Sequence, residues 1–459
     1  MTAIPSPAAF PTKQPRGLAL LFFTEMWERF SYYGMRALLI LYLIDTATGG
    51  FGWTQERASR LYGWYTGLVY LTPILGGWLA DRYLGTAKSL IIGGIVIALG
   101  HFTMAADTHV TFFAGLVLIV IGTGFFKANV STLVGQLYRE HDPRRDAGFT
   151  IFYIGINSGA FIGPLICGWL AANPKYGWSW GFGAAGVGMA LGVLCFLLLR
   201  KKYLGDTGMR PMSHGLSEAG RPAAAAPLTK EEKDRVLAII VVVFFVAFFW
   251  LAFEQAGSSL NVFAQQKTQR AVSGWLGSIV PNGEIPAAWF QSVGPFFILT
   301  LAPVFAVLWN RMGTRQPSTP VKMTWGLFLL GLGFVVITAG AYLAGASGLA
   351  SPFFLITLYF LHTCGELMVS PVGLSFVTKV APAKIASMMM GVWFLSNFSA
   401  NLVGGYIAGT VQKVARGEVF TLLGGQADFF LIFVLTSFAA CALLLVLTPM
   451  LNRLIHGRG

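Results

Sequence analysis

The 459-residue chain is 55% hydrophobic and only 11% charged, with a mean hydropathy of +0.66, and so has too little polar surface to cover a water-soluble globule. Its net charge of +13 does not mark a nucleic-acid binder, because the basic residues sit in particular loops between apolar runs and not along one face. Cys167, Cys195, Cys364 and Cys441 lie in apolar stretches without metal-ligand spacing and read as packing residues.

In chain order, residues 1–16 form a tail with Pro5, Pro7, Pro11 and Pro15. The first apolar run soon carries Glu25, Glu28 and Arg29, unlike the apolar region of a cleavable signal. Apolar runs near 18–44, 58–80, 87–106, 110–137, 147–171 and 179–199 are each long enough to cross a hydrocarbon core of about 30 Å as helix. Residues 201–235 then change character, with Gly205, Pro211, Gly220, Pro222, Pro227 and the charged run Lys230-Glu231-Glu232-Lys233, and read as a linker. Further runs follow near 236–262, 286–310, 320–345, 352–378, 384–410 and 427–451. The pattern predicts an all-α membrane protein of about twelve transmembrane helices in two six-helix bundles, 17–200 and 236–452, with a short tail at 453–459. Barrel strands would be about half as long and would alternate in polarity.

Twelve spans put both termini on one side. Most of the 32 Lys and Arg residues fall in loops on that side, among them Arg82, Lys88, Arg139, Arg144, Arg145, Arg311, Arg315, Lys322, Lys379 and Lys384. By the positive-inside rule that side is the cytoplasm, and the expected location is the cell inner or plasma membrane, multi-pass. The pairs Arg82 with Arg311 and Glu25 with Glu254 share an offset of 229 residues, as two parallel repeats would produce.

A charge at bilayer depth costs at least about 2.5–3.5 kcal/mol, yet Glu25, Glu28, Arg29, Tyr32, Tyr33 and Arg36 all fall on one helical stripe of the first span. Lipid cannot solvate such a stripe, so it must face a wet cavity or opposite charges. Lys127, Glu254 and Glu366 lie in other spans and bring the set to four acids and three bases. A purely structural clamp is the competing reading, but buried ion pairs stabilise poorly compared with apolar packing. Glu25 and Glu28 repel when both are ionised, which makes at least one of them a candidate for proton uptake. His362, within the tenth span, reads as a packing or hydrogen-bonding residue, and Gly122-x-Gly124 as a helix-packing element with no strand before it.

Five segments carry a resemblance: Glu25-Met-Trp-Glu28-Arg29-Phe30-Ser-Tyr32-Tyr33-Gly34-Met35-Arg36, Gly76-Gly77-Trp-Leu-Ala-Asp81-Arg82, Phe152-Tyr153-Ile-Gly-Ile-Asn157-Ser-Gly159-Ala160, Phe253-Glu254-Gln255 and Gly365-Glu366-Leu-Met-Val-Ser370-Pro371. Through them the chain resembles the proton-dependent oligopeptide transporter (POT/PTR) family of the major facilitator superfamily, from about Arg16 to Arg453. The resemblance implies a proton-coupled symporter that imports di- and tripeptides by alternating access. It implies proton coupling at Glu25, Glu28, Arg29 and Glu254, with Lys127 as an ionic partner. Arg36 and Lys127 would hold the peptide carboxylate and Glu366 its ammonium. Tyr32, Tyr70, Asn157 and Ser370 would add polar contacts, and Trp250 and Trp393 would shape side-chain pockets. Arg36 and Glu254 would also pair as an outer gate. Two departures stand out: Gly294-Pro295 replaces the Asn that often precedes this proline, and the linker is too short and polar to hold the two extra helices of many bacterial members.

A positive pole facing a negative pole would recognise a zwitterion by its ends. Each residue adds at most about 3.6 Å, so a fixed separation accepts short peptides and rejects long ones. The nearest alternative is a proton-coupled carrier of another small anion or zwitterion, such as nitrate or an amino acid, on the same fold. A channel needs no protonatable pairs on opposing bundles, and the chain shows no catalytic constellation, so an enzyme is not expected. The expected partners are peptide substrates and the lipid bilayer, with no nucleic acid, protons as the only coupling ion, no other cofactor or metal, and function as a monomer.

Overall fold

The computed structural model describes residues 12–139, 142–211, 228–345, 348–382 and 385–456. Twelve helices of at least 20 residues account for most of them: α1 Arg16–Ile44, α2 Gln55–Leu79, α3 Thr86–Ala105, α4 His109–Gln136, α5 Arg145–Ala172, α6 Gly177–Tyr203, α7 Lys230–Phe253, α8 Val293–Met312, α9 Thr319–Ala344, α10 Pro352–Val380, α11 Ala386–Ala408 and α12 Gln426–Leu454. Among the described residues nine helical segments are long and apolar enough to cross a membrane by length and composition. The remaining long helices are α1, α2 and α11. In α1 the cause is plain: every window long enough to span contains at least three charges from Glu25, Glu28, Arg29, Arg36 and Arg16.

Most spans read from the apolar pattern coincide with these helices to within a few residues. The seventh does not. The single run at 236–262 is broken after Phe253 by a 3-10 turn, Glu254–Gly257, and resumes as a short helix, Ser259–Lys267. The break leaves a buried carboxylate at the end of α7, and Ser258 has a non-helical backbone (φ −119°, ψ −96°). The eighth span likewise opens with a 3-10 segment, Ala287–Ser292. The helices bounding the linker end at Tyr203 and begin at Lys230, where Thr229 and Glu232 form a capping box. Residues 212–227 of the expected linker, most of the N-terminal tail and Lys384 lie outside the described residues. The 229-residue offset fits Arg82 and Arg311, both at the end of the second long helix of their halves. It does not relate equivalent depths for Glu25 and Glu254, since Glu25 lies in the first third of α1 and Glu254 beyond the end of α7.

Within the first half α1 packs on α5 and α6, α3 on α4 and α6, and α2 on α4. Small residues allow this closeness, as expected where lipid offers no hydrophobic drive to push helices together. Gly155, Gly159 and Gly163 of α5 lie against Phe22, Met26 and Phe30 of α1, and a Cβ on Gly159 would fall 2.1 Å from the Met26 carbonyl oxygen. In the second half α9 packs on α10 and α12.

The halves meet chiefly where α2 lies against α11, and where α5 meets residues 287–312. The named contacts all fall in the parts of these helices remote from the chain termini. Gly63 sits on Gly405, Trp64 donates to the Tyr406 hydroxyl at 3.4 Å, and Gln412 donates to Gln55 at 2.9 Å. On the α5 side Ser292 donates to the Phe161 carbonyl (2.6 Å), Trp289 to that of Leu165 (2.9 Å), and Trp169 to that of Ile279 (2.9 Å). Toward the terminal face, a cavity of about 390 Å³ lies between α5, α8, α9 and α10, lined in part by Tyr153, Trp309, Lys322, Leu367, Pro371 and Lys379. The structure is thus sealed on the face away from the termini.

Candidate transport site

The α1 stripe is buried along its length: Glu25 is 3% exposed, Glu28 1%, Arg29 5%, Tyr32 3% and Arg36 6%. Buried ions need partners, and the structure provides them unevenly. Arg29 holds both nearby acids, with its Nε 3.0 Å from Glu25 Oε1 and in contact with the Glu28 carboxylate. Its guanidinium also lies 5.5 Å from the Tyr32 ring centre. Two turns further along, Arg36 forms an ion pair with Glu254 across the two halves. The 3-10 turn after α7 carries Glu254 to that position. Arg36 therefore sits at the sealed face, and Glu25 to Arg29 lie nearer the terminal face on the same helix.

These pairings use Glu25, Glu28, Arg29, Arg36 and Glu254. Lys127 and Glu366 are left over. Lys127 of α4 is not within ion-pair distance of the glutamates that the resemblance gives it as partners; its ammonium lies 3.6 Å from the centre of the Tyr70 ring, a cation–π contact. Glu366 of α10 is 8% exposed and makes no ion pair or hydrogen bond among the described residues. Among the described residues two buried groups of opposite charge thus stand one in each half without an ion pair, Lys127 within electrostatic reach of Glu25 and Glu28 and Glu366 in the other half.

The other residues of the candidate site fall around these poles. Asn157 is buried and donates to the Tyr153 carbonyl of its own helix at 3.0 Å. Ser370 follows Glu366 by one turn of α10, on the same side. Among the described residues the Trp250 indole N–H has no partner, while its ring meets Phe249 and Phe253 edge-on. Trp393, 7% exposed, rests on Gly373 of α10. At Gly294 an added Cβ would meet Thr363 Oγ1 at an ordinary contact distance of 3.9 Å, so the site itself does not exclude a side chain at this position. His362 packs between the rings of Phe253 and Phe334 and against Gly333.

Sequence reasoning did not single out four further residues at the sealed face. Tyr62 of α2 accepts from Arg36 Nε at 2.5 Å. Gly257 lies under the Tyr62 hydroxyl, Gln291 donates to the Ala256 carbonyl, and Asn261 donates to the Ala37 carbonyl at 2.8 Å. A signal for Tyr62 did exist: Tyr62, Tyr65 and Tyr70 share one face of α2.

A helical, two-halved protein that buries paired charges between its halves and is sealed on one face is a membrane transporter of the major facilitator type. A family model described as "POT family" matches residues 87–207 and 219–423. The chain is 38% identical to the uncharacterized transporter YclF of Bacillus subtilis (strain 168), over 96% of this chain and 95% of that one. It is 34% identical to a di-/tripeptide transporter of Lactococcus lactis subsp. cremoris, covering 90% and 92%. A crystal structure of a peptide transporter POT in complex with sulfate superposes with a TM-score of 0.85 at 36% identity, covering 98% of both chains. The chain belongs to the POT family, and it is a multi-pass membrane protein.

Proposed function

We propose that this protein imports di- and tripeptides together with protons by alternating access, acting as a monomer with no cofactor other than the coupling protons. The observation that carries the reading is the pair of buried groups of opposite charge, Lys127 and Glu366, that stand one in each half without an ion pair. With Arg29 and Arg36 engaged by three acids, Lys127 is, among the described residues of the buried set, the cation of the first half without an ion pair and Glu366 the anion of the second without one. A short peptide carries the complementary pair at its two ends and would bridge the halves. Arg36 also retains both Nη1 protons, because its Nε serves Tyr62 and its Nη2 serves Glu254, so it can add to the carboxylate pole. A simple anion such as nitrate would leave Glu366 unmatched in a buried position.

Proton coupling falls to the acids whose ion pairs change. Glu25 and Glu28 share one guanidinium, so a proton on either leaves Arg29 to the other and removes a repulsion. A proton on Glu254 would release Arg36 and with it the seal between the halves. One proton moving inward yields about 2.3 kcal/mol per 100 mV and about 1.4 kcal/mol per pH unit. Either is enough for roughly tenfold accumulation or more.

The test uses purified protein in vesicles that enclose a pH-sensitive dye, with an inside-negative potential and external dialanine. Acidification that requires peptide, and that trialanine but neither alanine nor nitrate competes away, is the expected result. Peptide uptake without acidification would remove the proton from the scheme, and competition by nitrate would move the protein to the anion carriers.

A further inference from the structure

The Arg36–Glu254 pair crosses the seal between the halves, yet neither residue fixes the direction of the guanidinium by itself. An arginine has a flexible stem and five N–H groups, so a single pairing can be met from many rotamers. The structure surrounds this pair with a third element. Tyr62, 2% exposed on α2 of the first half, accepts from Arg36 Nε at 2.5 Å. Its ring lies 5.8 Å from the Arg36 guanidinium carbon. The same hydroxyl reaches into the second half, where it lies over Gly257. A Cβ built on Gly257 would stand 1.7 Å from the Tyr62 Oη and 2.7 Å from its Cζ. Gly257 closes the 3-10 turn that opens with Glu254. One phenol thus touches the cation and the turn bearing the anion.

The turn itself is held on both sides. Gln291 donates to the Ala256 carbonyl, Gln255 donates to the Gly404 carbonyl at 3.2 Å, and Asn261 reaches back to the Ala37 carbonyl of α1. Gly257 is therefore a rigid socket, and only a residue without a side chain leaves room for the tyrosine. The charged groups that face Tyr62 are Arg36 and Glu254; the titratable neighbours are Tyr32, Tyr33 and Tyr65 of the first half and Tyr359 of the second, with the Tyr33 ring centre 5.7 Å from the guanidinium carbon.

We propose that Tyr62 is a positioning residue of the gate at the sealed face: seated in the Gly257 notch, it turns Arg36 toward Glu254, so that the ion pair forms only when the two halves have closed there. When the halves part, Gly257 withdraws from the phenol and Arg36 loses its second fixed point. Docking, aiming and pairing become one step. The proposal rests on the alternating-access reading above, and it adds the device that couples the shape of the seal to its charge.

The experiment measures the seal directly. Spin labels at Ala47 and Trp275, exposed on the sealed face in opposite halves, report its opening by their distance distribution in nanodiscs without peptide. Tyr62→Phe keeps the ring and removes the acceptor; it is expected to raise the ratio of long to short distances about tenfold. It should also lower the maximal rate of proton-driven dialanine uptake several-fold with little change in KM. Gly257→Ala should shift the distances the same way, because its Cβ would collide with the hydroxyl. In the Tyr62→Phe background the further effect of Gly257→Ala should be smaller than in the unaltered protein, since the hydroxyl it strikes hardest is gone and only the ring carbon at 2.7 Å and Arg36 Nη2 at 3.0 Å remain in its way. An unchanged distance distribution in Tyr62→Phe overturns the proposal, and so does full additivity of the two substitutions. Should Gly257→Ala fail to fold, the Tyr62→Phe distances decide alone. The distances need no substrate, so a protein that moved no peptide would overturn the transport reading while leaving this result to stand.

Discussion

Arg36 shows how much one side chain can carry when its donors are shared out. Nε is directed to Tyr62 and Nη2 to Glu254, which leaves Nη1 for a ligand. Gate and carboxylate pole need not compete for the same atoms. Glu366 is the opposite case, a buried carboxylate with nothing to hold. Its isosteric replacement is therefore informative. Glu366→Gln should raise KM for dialanine by about 10- to 100-fold, the equivalent of about 1.5–3 kcal/mol for one charge-assisted contact. The same substitution should leave unchanged the weaker inhibition by N-acetyl-dialanine, which has no ammonium to lose. Uptake measured with both ligands checks this, and an equal loss for both would remove Glu366 from the ammonium pole. The charges of this set were legible in the sequence, because an ion inside an apolar run stands out against its cost. Tyr62 carried only a weak signal, its shared face with Tyr65 and Tyr70, since a tyrosine in a membrane helix is ordinary and its importance depends on Gly257, which is 195 positions away.

At the scale of elements, helices were legible and their interruptions were not. Hydropathy registers the solvent that a run prefers, and 236–262 is apolar throughout its first part whether or not its hydrogen-bond register changes at Glu254. The break depends on contacts from elsewhere, from Gln291 and from Tyr62. The same limit applies to glycine. The chain has 55 of them, and the sequence cannot say which serve a contact inside a bundle and which serve a contact that must open. The structure separates the two. Gly159 lies within the first half, where an added Cβ would stand 2.1 Å from the Met26 carbonyl oxygen of the neighbouring helix. Gly405 lies between halves, where a Cβ would stand 2.6 Å from Gly63 Cα. Gly159→Ala should lower the melting temperature in detergent, at a cost of about 1–3 kcal/mol for forcing α1 and α5 apart. Gly405→Ala should melt close to the unaltered protein and slow transport, because only the sealed arrangement needs the contact. Thermal unfolding followed beside initial uptake rates checks both, and a large loss of stability in Gly405→Ala would show that this contact holds the fold together as well.

For the whole molecule the decisive feature is asymmetry. Among the described residues the halves are joined at three places on the face away from the termini: α2 with α11, α1 and Tyr62 with the turn after α7, and α5 with residues 279–292. A transporter that alternates must break all three before it can admit a ligand from that face. Locking one of them should therefore arrest the cycle without disturbing either bundle. The site for the lock is the end of the α2–α11 contact, where a Cβ on Gly409 would lie 3.4 Å from Glu56 Cα. Gly409 has φ −64° and ψ −20°, which any residue accepts. The salt bridges of Glu56 to Arg60 and Lys413 are exposed enough that losing them costs little. With Cys167, Cys195, Cys364 and Cys441 replaced, Glu56→Cys with Gly409→Cys should form a disulfide on oxidation, since the two backbones are in contact there. Oxidised protein should lose both proton-driven uptake and peptide exchange, and reductant should restore them. A cysteine at Ser375, half-buried beside the cavity toward the terminal face, should still react from that face in the locked protein. Transport that persisted with the disulfide formed would mean that the seal seen here does not need to open.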